Sequence, residues 1–252
     1  MLVSLKELNG TTISATDGEV GQVKDIYFDD EQWAIRFMVV DTHPWMPLSE
    51  KVLISPIALV SYHSNDKLLN VSLDKESVKN SPKIEEHEPL SRKFEKAYFD
   101  YFGYGYYWLG SDAWGQYSYP TGLFQQNMIQ QELAENETHE SLKKVNHLRS
   151  ANEINHYGID ALDGNNGYIK DFIWDTENWT LSYLVIDTND WLPGGKKVLI
   201  SPKQVKSLNW EDKSVTCNIS LAQIEACPEY HADKLNDAEY LKGISLRLES
   251  PV

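Results

Sequence analysis

The sequence predicts an all-β protein made of two tandem copies of one small barrel, with a short helical and aromatic extension between them. Three observations predict it. Residues 2–82 align without a gap on residues 148–228 at a constant offset of 146, Leu2 falling on Leu148. Each copy reads as short apolar segments separated by Gly, Asp and Asn, the pattern of strands joined by tight turns. One segment per copy, residues 33–42 and 179–188, is apolar on both faces, as a strand is when both of its sides are covered.

The matched positions justify each element in turn. Gly18 and Gly21 fall on Gly164 and Gly167, and Lys24-Asp25 falls on Lys170-Asp171. Trp33 matches Trp179, Asp41-Thr42 matches Asp187-Thr188, and Trp45 matches Trp191. The run from Lys51 to Pro56 recurs unchanged from Lys197 to Pro202. A period this long marks a duplicated domain and not a solenoid repeat. Within copy one, the Asp17-Gly18 turn leads into a strand ending at Asp29, and Asp29-Asp30-Glu31 turns the chain into the segment that begins at Trp33. Three shorter strands follow over residues 51–55, 57–63 and 67–73, then a helix-like piece over 75–80 that Pro82 stops.

Between the copies the composition changes. Residues 91–102 place Phe94, Ala97, Tyr98 and Tyr101 at helical spacing. From Tyr98 to Trp108, eight of eleven residues are aromatic. Residues 125–146, rich in Gln, Glu and Asn, read as a polar linker or a marginal helix. The expected domains are therefore barrel one over 1–82, the extension and linker over 83–146, barrel two over 147–228, and a tail over 229–252 with a short helix near Asp233–Leu241.

Composition narrows the function. The chain of 252 residues has 23 basic against 38 acidic side chains and a net charge of −15, which argues against binding the phosphate backbone of nucleic acid. There is no run of about 18 apolar residues. The opening residues lack the basic and apolar stretches of a signal peptide, so a soluble cytoplasmic protein is expected. Two cysteines, Cys217 and Cys227, fit a reducing compartment and not a disulfide scaffold.

The order Asp-Gly-x-x-Gly-x-Val/Ile-Lys-Asp, a strand ending in Asp-Thr with Trp downstream, and Lys-Val-Leu-Ile-Ser-Pro resembles the PRC-barrel family. That family is named for the cytoplasmic domain of the photosynthetic reaction-centre H subunit. The segment from Phe94 to Trp108 is similar to the aromatic extension that often follows such a barrel. The resemblance implies a barrel of about six strands per copy and a noncatalytic assembly or interaction module without a photosynthetic role. Its expected partners are other proteins, a second copy of the chain among them.

Each candidate site in the sequence has a plainer reading beside the functional one. The glycines precede a strand and not a helix, so they read as hairpin turns instead of a phosphate loop. The seven histidines have no counterpart in the other copy, and the cysteines lie ten positions apart, so no metal site is expected. No Ser stands in a nucleophile-elbow context. The sequence therefore assigns no catalytic, metal or cofactor residue and implies no cofactor. Lys24-Asp25 and Lys170-Asp171 read either as a partner-binding or inter-barrel ion pair or as an outward Lys beside an Asp bonded to a turn. Trp45 and Trp191 read as closing the barrel mouths or roofing a small-ligand pocket. Tyr104, Tyr106, Tyr107 and Trp108 read as packing on a barrel or as a docking surface for a protein partner. The alternative function is a small-ligand-binding or hydrolytic protein that uses an inter-barrel cleft.

Overall fold

The computed structural model describes residues 1–42, 51–83, 90–124, 147–188 and 195–249. The first copy contributes β1 (Leu2–Ser4), β2 (Thr12–Ala15), β3 (Gly18–Asp29), β4 (Ile35–Asp41), β5 (Lys51–Ile54), β6 (Leu59–His63) and β7 (Leu68–Val71). The second contributes β8 (Leu148–Ser150), β9 (Gly158–Ala161), β10 (Gly164–Asp175), β11 (Thr180–Asp187), β12 (Lys197–Ile200), β13 (Val205–Asn209) and β14 (Ser214–Cys217). Every strand recurs at the offset seen in the sequence, as do the helices Lys75–Asn80 and Leu221–Ala226.

The strands form two seven-stranded sheets, ordered β5-β4-β3-β2-β7-β6 and β12-β11-β10-β9-β14-β13 with one strand branching from each. The chain is mostly β and has two domains, and among the described residues neither sheet closes on itself. The pairs β2–β7 and β9–β14 are parallel, and the other pairs are antiparallel. The sequence led to an expectation of about six strands per copy; the seventh comes from the other copy. β1 pairs with β10, Leu2 opposite Asp175 and Ser4 opposite Ile173, while β8 pairs with β3, Leu148 opposite Asp29 and Ser150 opposite Tyr27.

The two compact units are accordingly Glu7–Ser150, here the first unit, and Met1–Lys6 with Ala151–Val252, the second. These divisions differ from cuts at residues 82 and 147. The physical reason lies in the length of β3 and β10, which have 12 residues each. On one edge β2 pairs only as far as Gln22 of β3, and β9 only as far as Tyr168 of β10. The remaining half of that edge presents backbone N–H and C=O groups that need partners, and the exchanged strand supplies them.

Two backbone features recur in both units. A Cβ on Gly21 would sit 2.0 Å from the Asp41 carbonyl oxygen, and one on Gly167 would sit 2.2 Å from that of Asp187. These glycines allow neighbouring strands to approach closely. Trp33 and Trp179 adopt left-handed φ of 56° and 57°, a conformation that costs a bulky residue about 1–2 kcal/mol. Ring packing offsets that cost: Trp33 stacks on Phe28 at 5.5 Å, and the buried Trp179 lies 4.7 Å from Trp174.

The both-sided apolar character of β4 is explained by its cover. Ile35, Phe37, Met38 and Val40 are fully buried. The helix Arg92–Phe102 sets Tyr98 and Phe99 against Phe37, at 5.0 and 6.1 Å between ring centres. In the second unit, the tail helix Ala238–Glu249 buries Ile244 and Leu248, and its Ser245 hydrogen-bonds Tyr183 of β11.

Candidate functional site

The first unit holds a buried chain of charges beneath its aromatic arm. Asp29 ends β3 and Arg36 lies in β4, seven residues apart across the turn. The helix above them starts at Ser91, whose hydroxyl accepts from the Phe94 N–H at 3.2 Å, and stops at Gly103, which has a left-handed φ of 70°. Capping and glycine termination together turn the chain back, so that Tyr107 comes to lie over β4.

Arg36 is completely buried. Its Nε donates to Asp29 Oδ2 at 2.6 Å, the two side chains form an ion pair, and Nη1 donates to the Ala113 carbonyl. The guanidinium carbon lies 3.5 Å from the Tyr107 ring centre and 4.7 Å from that of Trp114, a cation–π arrangement strengthened by desolvation. The Tyr107 hydroxyl donates to Glu95 Oε1 at 2.5 Å and accepts from Arg92 Nη1 at 2.9 Å. Arg92 pairs with Glu95 at 3.2 Å and covers the Trp108 ring at 4.3 Å.

Two carboxylates and two guanidiniums thus alternate through one phenol. Burial pushes the Glu95 carboxyl up to about 7, against the opposing pull of Arg92 and of the Tyr107 hydrogen bond. Burial likewise raises Tyr107, and the nearby Glu95 adds to the rise. Each charge has an opposite neighbour, the condition under which ion pairs persist in a low-dielectric interior. The network is a clamp that fixes the arm to the sheet. Among the described residues, no group of three or more His, Cys, Asp or Glu is placed to hold a metal ion.

Of the arm residues singled out from sequence, Tyr104, Tyr106 and Tyr107 are buried and Trp108 is half-buried. The three tyrosine rings are packing elements of the first unit and not an exposed docking face. Tyr106 donates to Asp100 and receives a bond from Lys96 Nζ at 2.7 Å. Tyr104 stacks on Phe102 at 5.4 Å, its hydroxyl buried without a hydrogen-bond partner among the described residues. Trp45 and Trp191 lie outside the described residues.

The arm does reach the surface beside these rings. Tyr101 is 44% exposed and Phe124 is 39% exposed. Tyr101 lies 4.8 Å from the half-buried Phe102, and Phe124 lies 6.1 Å from the buried Tyr104.

The Lys-Asp pairs follow the plainer reading in part: Lys24 is exposed, while each Asp bonds a serine of a neighbouring strand where a turn was expected. Asp25 Oδ2 accepts from Ser150 Oγ at 2.6 Å, and Asp171 Oδ2 accepts from Ser4 Oγ at 2.6 Å. Each Asp also accepts the N–H of the next residue at 2.8 Å. They are receptors for the exchanged strands. Sequence reasoning passed over Arg36, Arg92 and Glu95. The available signal was Arg36 itself, a charge inside the apolar run from Ala34 to Val40 where the other copy has Ser182; a charge in a doubly covered strand requires a buried partner.

Comparison with models of known protein families finds no match, and comparison with characterised protein sequences finds no significant relative. Among the described residues, no helix is long and apolar enough to cross a membrane.

Proposed function

We propose that this chain is a noncatalytic scaffold of two PRC-type barrels that binds other proteins through the aromatic arm of its first unit. The carrying observation is the exposure of the Tyr101 and Phe124 rings on an arm tied to the sheet by the Arg36–Tyr107–Glu95–Arg92 clamp. Rigid aromatic side chains suit protein recognition because they offer a large contact area at little cost in ordering. The region has few basic groups, which favours a protein partner over an anionic membrane.

The barrel part of the reading draws support from the connectivity. The outermost strands of the first sheet, β5 and β6, are consecutive in the chain and joined only through the short turn Pro56–Ala58. Pro202–Gln204 joins β12 to β13 in the same way. Such short links hold the two ends of each sheet near one another, as closure into a barrel demands. The buried, reduced Cys217 and Cys227 accord with a cytoplasmic setting.

Affinity capture from host extract tests the scaffold reading. The parent chain is expected to retain a reproducible set of proteins, and the double variant Tyr101→Ser/Phe124→Ser is expected to lose them while melting as the parent does. Retention of the same proteins by that variant would remove the arm from the interface.

A further inference from the structure

The second unit is strapped by its own tail, and the strap has a weak point. The tail helix Ala238–Glu249 buries Ile244 and Leu248 and packs against β12 and the helix Leu221–Ala226. Gly243 stands in its middle. A Cβ there would meet nothing within 4 Å, and Gly243 is not among the residues with positive φ, so neither packing nor backbone geometry calls for glycine. Its effect falls on the helix itself, whose folded form alanine would favour about three- to fivefold more. The helix over the first sheet, Arg92–Phe102, has no glycine. It is pinned through Tyr98, whose hydroxyl donates to the Leu53 carbonyl at 3.0 Å and accepts the Ser55 N–H at 3.2 Å.

The same tail holds β1. The Asn236 side chain clamps Leu2, its Oδ1 accepting the Leu2 N–H at 2.9 Å and its Nδ2 donating to the Leu2 carbonyl at 3.1 Å. The next residue, Asp237, caps the helix, its carboxylate accepting the N–H groups of Glu239 and Tyr240 at 2.9 and 3.1 Å. From within the helix, the Tyr240 hydroxyl reaches back to donate to the Glu229 carbonyl at 2.7 Å and to accept the His231 N–H at 3.2 Å. The loop that presents Asn236 is thus tied to the helix on both sides, by the cap and by Tyr240. The position 146 residues earlier is Leu90, which has no amide to offer β8. We propose that the tail helix is a detachable strap that gates β1: when the helix lifts, the Asn236 clamp opens with it and β1 leaves the β10 edge, while the rest of the second unit stays folded. Such partial openings occur at a fraction of the cost of global unfolding. In the first unit β8, held by Arg149 on Asp30 and Ser150 on Asp25, opens independently of the helix Arg92–Phe102.

Hydrogen exchange of the full chain, read by mass spectrometry, tests the gate. In the parent, Ala238–Glu249 and Leu2–Ser4 are expected to exchange faster than Thr180–Asp187. Gly243→Ala is expected to slow both by the same factor, about three- to fivefold, and to leave Leu148–Ser150 unchanged. Adding Asn236→Ala is expected to keep the slowing in the tail and abolish it in β1. Slowing in the tail alone, with Asn236 intact, overturns the gate, and so does an unchanged tail. A thiol gives a second reading. Cys227 is buried at the end of the helix Leu221–Ala226, close enough to Arg247 of the tail helix to feel its charge, whereas the buried Cys217 lies in β14. N-ethylmaleimide is expected to label Cys227 about tenfold faster than Cys217, and Gly243→Ala to slow the Cys227 reaction about three- to fivefold. Equal rates at the two cysteines would mean that the tail opens only with the whole unit, which overturns the proposal.

Discussion

In the first unit, the outer side of β4 is covered by an internal helix and an aromatic arm, tied down through Arg36. In the second, the matching strand β11 carries Ser182 and Tyr183 at the places of Arg36 and Phe37, and the tail helix Ala238–Glu249 provides the cover. The sheets below are the same in strand order and register. The difference teaches that the duplicated sheet constrains only the apolar nature of its cover. What lies over it is free to diverge, from an ordinary amphipathic helix to a charge network with exposed rings at its margin.

The contrast is broken most directly by removing the arm's anchor. Replacing Tyr107 and Trp108 together with Ala is expected to destabilise the first unit by about 4 kcal/mol or more, since the Tyr107 ring is fully packed and aromatic truncation typically costs about 3 to 5 kcal/mol. Urea unfolding of the full chain measures it, and a parent-like midpoint would detach the arm from the core. Slightly smaller is the effect of Arg36→Leu, about 3 to 4 kcal/mol, because Asp29 is left buried without its cation. At the matching place Ser182→Ala is expected to change stability by no more than about 0.5 kcal/mol. Equal losses at these two positions would erase the distinction between the covers.

Acidity sharpens the comparison. Glu95 holds its proton in the folded state up to about 7, whereas its ordinary value is 4.5. The folded form therefore binds more protons between those values, and stability falls as pH rises through that window, by up to about 3 kcal/mol. The stabilising contribution is complete below about 4.5 and gone above about 7. Unfolding curves at several pH values are expected to show this slope in the parent and to lack it in Glu95→Gln, whatever that variant's overall offset. An identical slope in both would place the titration elsewhere.

The smallest effect concerns what the units share. Ser4→Ala and Ser150→Ala each remove one hydroxyl bonded to a carboxylate, and each is expected to cost about 1.5 to 2 kcal/mol. The expected equality is the informative part. A loss confined to one of them, read by the same denaturation, would mean that the two strand slots are not equivalent.

The duplication was legible because turn glycines, paired tryptophans and an unchanged six-residue run hold one spacing through the whole match. The positions of most strands along the chain followed from the same residues. The exchange of β1 and β8 was hidden for a physical reason: Leu2-Val3-Ser4 and Leu148-Arg149-Ser150 are near-equivalent donors, and periodicity specifies that a strand pairs without saying which copy of an acceptor it meets. Arg36, a charge in an apolar run, was passed over, and its partners Tyr107, Trp114 and Ala113 approach from distant parts of the chain, where spacing carries no signal. The density of rings from Tyr98 to Trp108 was compatible with packing and with a docking surface alike. Which rings turn inward depends on the reversal at Gly103, a tertiary event that composition does not record.

The crossed strands also dictate an order of events on the ribosome. Asp175, the partner of Leu2 in the sheet, is synthesised 173 residues after it. At about 5 to 20 residues per second, β1 waits roughly 9 to 35 s for the edge it will occupy. The first unit, by contrast, is completed when Ser150 appears, before the second has more than its opening strand. The nascent chain thus passes through a stage with one finished domain and with β1 still waiting for the edge of β10.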